Sequence, residues 1–261
     1  MDALIIVTHI VSRAFFNKCL CIQKAYRKYG TVFILLDNSV KLPIEYQTCF
    51  NIVRFDWESL MSMGYKPIRN SMIPGSNHFI TMWFQLNNPG YRFYWSMEYD
   101  VVYTGKWSEF FKQAYTLGGD FQACHIRNFH ENPNWFWWDA MHIPDSLDVR
   151  LTDKENRVRS FNPIYRISDE ALYCLHKYFK SGLSGHHELV IPSILKINGF
   201  ELVDFGGTGS YVRRGYEEKF YISQNRNGTL GSMSHLPFKN ESLAITIPNK
   251  LVHPIKYFDG V

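Results

Sequence analysis

Two carboxylates follow an aromatic segment near the middle of the chain. Residues 91–97 are predicted to form a ring-rich strand, and Glu98-Tyr99-Asp100 comes directly after it. The two-residue period of a strand points Glu98 and Asp100 to the same side, about 7 Å apart. Ligands of α/β sheets bind outside the carboxyl ends of strands. The pair therefore suits Mn²⁺ or Mg²⁺ on a diphosphate, although two solvated acids at a strand end would give the same pattern.

Another carboxylate, Glu188, stands at the predicted start of a helix that ends at Gly199. A carboxylate in that place is suited to act as the general base for a hydroxyl nucleophile. The alternative is an ordinary helix N-terminus, where an acid favours the helix dipole. His186 and His187 precede Glu188, but this spacing differs from the HExxH zinc motif.

A late histidine, His253, lies between the apolar pair Leu251-Val252 and Pro254. A neutral imidazole there is suited to complete a metal shell with Glu98 and Asp100. Lys256, three positions further on, is suited to meet a phosphate. The alternative for a lone histidine in this region is a plain surface residue.

A Trp-rich stretch without a clear period occupies residues 130–165, and we expect a long functional loop there. The four consecutive rings at 135–138 cannot all face a core, and Trp faces stack well on sugar rings. Alternatively, the loop packs its own rings over the domain, and Arg127 forms a structural ion pair. The residues assigned to the acceptor or sugar are Trp135, Trp137, Trp138, Arg127 and His187.

The elements that must position these residues follow an α/β order. Apolar runs at 3–8, 31–36 and 51–55 are predicted strands, and a helix capped by Ser12 and closed by Gly30 joins the first two. Further strands are expected at 120–129 and 201–205, and further helices at 78–86, 107–115, 168–182 and 188–199. We predict a single α/β domain with a mostly parallel central sheet flanked by helices. The chain after about residue 216 is expected to be weakly structured.

Polar residues follow the first two predicted strands, where the base and ribose of a nucleotide would lie in such a sheet. These candidates for the nucleoside are Thr8, His9, Ser12, Arg13 and Asp37. The sequence has no GxGxxG, GxxxxGK[ST] or GxSxG motif. A Rossmann dehydrogenase, a P-loop NTPase and an α/β-hydrolase are therefore disfavoured.

Composition narrows the function classes further. The 261 residues carry a net charge of +4 and are 46% hydrophobic, which fits a globular protein and is too weakly basic to argue for nucleic acid. Five scattered cysteines without a CxxC pair argue for reduced thiols. No apolar run is long enough for a transmembrane segment, so we expect a cytoplasmic protein, with peripheral membrane contact left open. The sequons at Asn227 and Asn240 are interpreted as chance.

Taken together, the motifs resemble glycosyltransferases of the GT-A fold. Glu98-Tyr99-Asp100 resembles their DxD motif, with Glu in place of the first Asp, and residues 94–107 are similar to a little-characterised group of transferases with a Trp-x-x-Glu-x-Asp-Val segment. Glu188 followed by Ile191-Pro192-Ser193 resembles the helix start of inverting branching N-acetylglucosaminyltransferases, in which the glutamate is the base. His253 resembles the C-terminal metal-binding histidine of many GT-A enzymes.

This resemblance implies a nucleotide-sugar-binding half at 1–105 and an acceptor half with a C-terminal tail at 106–261. It also implies transfer of a sugar from a nucleotide-diphospho-sugar, with a UDP-sugar favoured, to a glycan or glycolipid hydroxyl, with inversion if Glu188 is the base. Glu98 departs from the motif, and some GT-A enzymes use basic side chains instead of a metal; Lys256, Arg213 and Arg214 are the candidates for that role.

Two other function classes compete with this interpretation. A metal-dependent nucleotide or phosphate hydrolase would use the same carboxylates, and it would release phosphate without a sugar acceptor. A non-catalytic glycan-binding module would need only the Trp-rich loop, and it would be indifferent to Asp100→Ala.

Overall fold

The computed structural model describes residues 1–223, 231–238 and 245–256. The two sequons, at Asn227 and Asn240, lie outside the described residues. The strands are β1 (Asp2–Thr8), β2 (Gly30–Asp37), β3 (Asn51–Phe55), β4 (Phe93–Glu98), β5 (Val102–Tyr103), β6 (Phe121–Asn128), β7 (Met141–His142), β8 (Val158–Ser168), β9 (Ser184–Gly185), β10 (Leu202–Asp204) and β11 (Leu251–Val252). The α-helices are α1 (Arg13–Tyr26), α2 (Ile44–Gln47), α3 (Trp57–Met61), α4 (His78–Asn87), α5 (Trp107–Leu117), α6 (Asp169–Lys180) and α7 (His187–Ile197).

Seven strands form one central sheet in the order β10-β6-β8-β4-β1-β2-β3. The neighbours β1–β2, β1–β4, β2–β3 and β6–β10 are parallel, and β8 alone runs antiparallel to both of its neighbours. Apolar side chains cover both faces of the sheet: α4, α6 and α7 contribute to one buried cluster, and α1 and α5 to the other. The predicted mostly parallel α/β domain is confirmed.

The first strands form where their composition predicts. Residues 3–6 of β1 are fully buried because β2 and β4 flank the strand and helices cover both faces. Ser12 caps α1 as predicted. Gly30, however, does not close that helix: α1 ends at Tyr26 and Gly30 begins β2. A Cβ at Gly30 would lie 1.7 Å from the Asp2 carbonyl oxygen, so close approach of the two chains accounts for this glycine.

Two further sequence expectations are wrong. The expected loop at 130–165 ends early, because residues 158–168 form β8 in the centre of the sheet. Pro163 and the buried polar residues Ser160 and Asn162 hide this strand, since they interrupt the apolar pattern of a central strand. The expected weak structure near the C-terminus is also wrong at β11, which pairs antiparallel with β5. Within the described residues, no helix has the length and apolar character needed to cross a membrane.

Candidate active site

The turn after β4 carries the predicted acidic pair. Glu98 is the last residue of β4, and the Val101 amide donates to the Glu98 carbonyl at 3.2 Å, which closes a tight turn around Asp100. Lys18 of α1 fixes the same turn, because its ammonium donates to the carbonyl oxygens of Tyr99 and Val101. The acidic pair is therefore held by the sheet on one side and by α1 on the other.

The pairing of β11 with β5 brings His253 to this turn. Leu251 lies opposite Tyr103, and the Ile255 amide donates to the Asp100 carbonyl at 2.9 Å. His253 Nε2 then lies 3.3 Å from Glu98 Oε2 and 3.4 Å from Asp100 Oδ1. The structure thus brings together the three residues that the sequence predicted as metal ligands.

The donor set of this cluster fits a divalent cation. His253 Nδ1 lies 2.6 Å from the Ser234 carbonyl oxygen, which can only accept, so Nδ1 carries the proton and Nε2 faces the carboxylates. One ligand atom from each of Glu98, Asp100 and His253 lies within 4.8 Å of the others. Asp100 Oδ1 is buried and has no hydrogen-bond partner among the described residues. Two carboxylates and an imidazole suit Mn²⁺, and the carboxylates suit Mg²⁺.

Asp100 is almost fully buried, at 2% exposure, but its carboxylate is turned toward the cluster. Oδ1 faces His253 and Oδ2 accepts from the Lys256 ammonium. Burial alone would raise the pKa of Asp100, but His253 and Lys256 outweigh it and lower the pKa to about 2. Burial likewise opposes charge on His253, yet the nearby carboxylates of Asp100 and Glu98 raise its pKa to about 9. The Glu98 side chain, at 36% exposure, opens the cluster to solvent.

Glu188 lies beside this cluster, in the first turn of α7. Its Oε1 accepts from the Asn162 amide of β8 at 3.4 Å, and its charge interacts with those of Glu98, His253 and Arg159. The side chain is only 12% exposed. Burial raises the pKa of Glu188 to about 7, with repulsion from Glu98 adding to the shift and Arg159 opposing it. A carboxyl group with this pKa can exchange a proton near neutral pH.

The raised pKa of Glu188 makes a stability prediction. Between its unfolded value near 4.5 and its folded value near 7, the native state holds a proton that the unfolded chain has lost. The contribution of this proton to the free energy of unfolding is therefore fully present below about pH 4.5, and it is lost as the pH rises through 7. We expect Glu188→Gln to raise the free energy of unfolding at pH 8 by on the order of 1–3 kcal/mol, and to change it little at pH 4.5. Urea titrations at both pH values test this; equal effects at the two pH values would contradict it.

The Trp-rich loop holds one buried ring, that of Trp138, and two partly exposed rings, those of Trp135 and Trp137. Trp138 is 2% exposed, and its indole donates to the Asn132 carbonyl at 2.7 Å, so it anchors the loop and cannot stack on a sugar. Trp137 stacks on the His186 ring at 4.5 Å, and Trp135 lies under the Arg159 guanidinium at 4.6 Å. The structure therefore leaves Trp135 and Trp137, but not Trp138, as partly exposed candidates beside His186 and Arg159.

Because Trp138 is buried and Phe136 is exposed, we expect their substitution to change the stability of the protein by different amounts. Trp138→Ala should lower the free energy of unfolding by about 3–5 kcal/mol, because it leaves a large cavity and removes the indole hydrogen bond. Phe136→Ala is the matched control, since Phe136 is 83% exposed and should change stability by less than about 0.5 kcal/mol. Chemical denaturation measures both. A similar loss for the two variants would contradict the assignment of Trp138 as the anchor.

Three other predicted site residues make contacts within the protein itself. Thr8 Oγ1 is buried and bonds within its own loop to the backbone of Ile10, and Ser12 Oγ accepts from the Phe15 amide as the α1 cap. Arg127 donates to Thr208 and lies 3.9 Å from Asp204, the structural ion pair that was the alternative. These contacts satisfy the side chains without a ligand, so they shape the loops around the site.

His187 corrects another expectation. It is buried beneath the loop, with its ring parallel to that of His78 at 6.1 Å, and it contacts Asn162. Burial lowers its pKa well below the usual range, with the nearby His186 and His78 adding to the shift. His187 is therefore a neutral interior histidine with little access to solvent.

The remaining nucleoside candidates lie at the carboxyl edge of the sheet. His9 is exposed, with its ring edge-on to Tyr99 at 4.8 Å. Arg13 is exposed at the start of α1. Asp37 ends β2 and accepts from the Ser39 amide at 2.9 Å. His9 is thus the candidate that the structure places against the acidic turn.

Sequence reasoning missed the contributions of β8 and of the residue before α4. Asn162 and Arg159 come from the stretch that was expected to be a loop, and Asn77 donates to Glu98 Oε1 at 3.4 Å. His186 was noted only as a neighbour of Glu188, yet it caps α7 and supports Trp137. The polar residues inside an otherwise apolar stretch at 158–168 were the signal that could have found Arg159 and Asn162.

Comparisons with known proteins find distant similarity to solved structures. No protein-family model matches the sequence, and no curated protein matches it. A solved structure assigned as a glucose-1-phosphate thymidylyltransferase from Bacillus anthracis, in complex with sucrose, is similar over 80% of this chain and 88% of its own, with 7% identity and a TM-score of 0.46.

Two further solved structures are also similar to this chain. A 4-diphosphocytidyl-2C-methyl-D-erythritol synthase from Anaerococcus prevotii aligns over 81% of this chain and 91% of its own, with 7% identity and a TM-score of 0.44. The galactosyltransferase LgtC, in complex with donor and acceptor sugar analogues, aligns over 79% of this chain and 73% of its own, with 8% identity and a TM-score of 0.44. Because identities and scores are this low, the functional proposal rests on the residues of the site.

Proposed function

We propose that this chain is a glycosyltransferase that moves a sugar from a nucleotide-diphospho-sugar to an acceptor hydroxyl. The observation that supports it best is the juxtaposition of two acid groups with opposite properties. Asp100 stays ionised in the Glu98–Asp100–His253 cluster, while Glu188, close enough to interact with it, has a pKa of about 7. Carboxyl groups with separated pKa values at one site are typical of divided acid–base roles.

Glu188 is the proposed base of the transfer. When ionised, its carboxylate takes the proton from the acceptor hydroxyl as the oxygen attacks the anomeric carbon and the bond to the diphosphate breaks. The Asn162 amide and the His186 cap orient the carboxylate, since both contact the first turn of α7. A base placed opposite the leaving group implies inversion, and NMR of the product anomer distinguishes inversion from retention.

Glu98, Asp100 and His253 are the residues that would hold Mn²⁺ or Mg²⁺. When bound, such a cation supplies positive charge that neutralises a departing diphosphate. Lys256 already lies against Asp100 and Tyr99, so it brings a second positive charge to the same place. His9, Arg13 and Asp37 are the exposed or half-buried candidates for the nucleoside. Trp135 and Trp137 form the proposed wall for the acceptor.

The donor is proposed to be a UDP-sugar and the acceptor a glycan or glycolipid. Thermal-shift measurements with UDP, GDP, CDP and dTDP, with and without Mn²⁺, test nucleotide binding first. A ligand at a hundredfold excess over its Kd adds about 2.7 kcal/mol of stability, which such a scan detects. UDP-sugars are then incubated with and without glycan acceptors. Acceptor-dependent release of nucleotide supports the proposal; release that ignores the acceptor favours a hydrolase, and glycan binding without any nucleotide effect favours a binding module.

A further inference from the structure

The Arg159 guanidinium, near the proposed base Glu188, has few hydrogen-bond partners among the described residues. Its Nε is buried and has no hydrogen-bond partner among the described residues, and its Nη1 reaches the Asn132 side chain only at 3.5 Å. Within the part of the chain that the structure describes, no carboxylate lies at ion-pair distance from it. Its firmest contact is with the Trp135 ring, 4.6 Å from the guanidinium carbon. A half-buried guanidinium with so few acceptors has capacity left for a ligand.

The surroundings of Arg159 leave this positive charge largely uncompensated. Arg127 lies directly opposite on β6, and it adds a second guanidinium that is directed at Asp204. Burial lowers the pKa of Arg159 and the Arg127 charge adds to that effect, while Glu188 and Tyr221 oppose it. His186, next to Trp135 and Trp137, has its pKa lowered to about 4 by burial and by Arg159, so it contributes no positive charge at neutral pH.

Burying a charge without a partner is costly, and an anion from outside would remove that cost. The guanidinium presents a planar fork of donors that matches a carboxylate or a phosphate. Because Arg159 stacks on Trp135, it lies at the wall that Trp135 and Trp137 are proposed to form for the acceptor. The diphosphate of a donor is instead matched by the Glu98–Asp100–His253 cluster and Lys256. The anion therefore belongs on the acceptor side of Glu188.

We propose that Arg159 binds an anionic group, a carboxylate or a phosphate, on the acceptor sugar that Trp135 and Trp137 cover. This inference rests on the proposed function, because that function assigns the Trp wall to the acceptor. It deepens that function by naming the acceptor class: a glycan that carries a uronate or a sugar phosphate near the hydroxyl to be glycosylated.

Binding experiments without any donor test this directly. Methyl β-D-glucuronide and methyl β-D-glucoside form one matched pair of probes, and glucose 6-phosphate and glucose form the second. Titrations followed by saturation-transfer NMR and by Trp fluorescence give the affinities. We expect the charged member of at least one pair to bind about tenfold more tightly than its neutral partner, the gain typical of a charge-assisted hydrogen bond. The pair that shows the preference identifies carboxylate or phosphate as the source.

Variants then assign the preference to Arg159. Arg159→Met should abolish it while leaving the weak affinity for neutral sugars, and Arg159→Lys should keep part of it. Arg150→Met is the matched control, because Arg150 is exposed and pairs with Asp148, and its preference should equal that of the wild type. Circular dichroism checks that each variant folds; if Arg159→Met does not fold, the wild-type probe pairs and Arg159→Lys decide.

The outcomes separate this inference from the proposed function. Equal affinities for charged and neutral probes in the wild type overturn the inference, as does a folded Arg159→Met that retains the preference. Transfer to a neutral glycan together with equal probe affinities would overturn the inference and leave the glycosyltransferase standing. A preference that depends on Arg159, with no transfer from any nucleotide-sugar, would support an anionic-glycan site and overturn the transferase.

Discussion

Glu188→Gln should lower the rate of sugar transfer by about 10²–10⁴-fold, the contribution typical of a positioned general base. Glutamine keeps the shape of the side chain and its place in the first turn of α7, but it cannot accept the proton of the acceptor hydroxyl. Nucleotide binding should change little, because the Glu98–Asp100–His253 cluster and Lys256 remain intact. Steady-state kinetics should therefore show a loss in kcat, with the nucleotide-induced thermal shift preserved.

The matched control is Glu170→Gln, which alters an exposed glutamate in the first turn of α6 and should leave kcat unchanged. The pH profile provides an independent check. Because the base must be ionised, and burial raises its pKa to about 7, wild-type kcat should fall as the pH drops below 7. Glu188→Gln should lose that dependence. Full activity in the glutamine variant, or a wild-type rate that is flat from pH 5 to 8, would remove Glu188 from the mechanism.

Elements with a local sequence signal were predictable, whereas the pairing between distant parts of the chain was not. The order of β1, α1, β2 and β3 was predictable because buried parallel strands are apolar runs and Ser12 is a recognisable helix cap. The partnership of Glu98 and Asp100 with His253 was also anticipated, although from motif order and not from packing. The antiparallel pairing of β11 with β5, which produces that partnership, has no local signature in two-residue strands.

The central strand β8 escaped prediction because polar residues and a proline interrupt its apolar pattern. Ser160, Asn162 and Pro163 are poor choices for a strand in the middle of a sheet, and the register with β6 is irregular in the same region. That stretch supplies the amide that contacts Glu188 and the guanidinium beside it. Failure of a local rule at a functional position is expected, because polar groups needed for chemistry replace the side chains that packing alone would choose.

The pKa values of Asp100 and Glu188 differ because the two carboxyl groups contact different charged residues. Both Asp100 and Glu188 are largely buried, yet the pKa of Asp100 is lowered while that of Glu188 is raised. The difference arises because His253 and Lys256 contact Asp100, whereas Glu188 has a more distant Arg159 and the repulsion of Glu98. Burial alone does not decide the charge; the nearest opposite charge does.

Asp100→Asn should reduce transfer by about a thousandfold or more, the equivalent of about 4 kcal/mol of transition-state stabilisation. The amide retains the size of the side chain but removes the charge that faces His253 and Lys256. The Mn²⁺-dependent part of the thermal shift with UDP should disappear, because Glu98 and His253 alone provide a single carboxylate. Stability without ligands should fall by about 2 kcal/mol at pH 7, since the lowered pKa of Asp100 reports a stabilising charge that persists above its unfolded value.

That stability contribution has a definite pH window. It is present above the unfolded pKa near 3.8 and is lost as the pH falls toward the folded value of about 2, so wild type and Asp100→Asn should converge in acid. Asp145→Asn, at an exposed aspartate, is the control and should match the wild type in rate and in Mn²⁺ response. If Asp100→Asn keeps its rate and its Mn²⁺ response, the acidic turn does not serve a diphosphate. A transferase that neutralises the diphosphate with basic side chains, for which Lys256, Arg213 and Arg214 are the candidates, would then be favoured, because its rate would not depend on a cation at the end of β4.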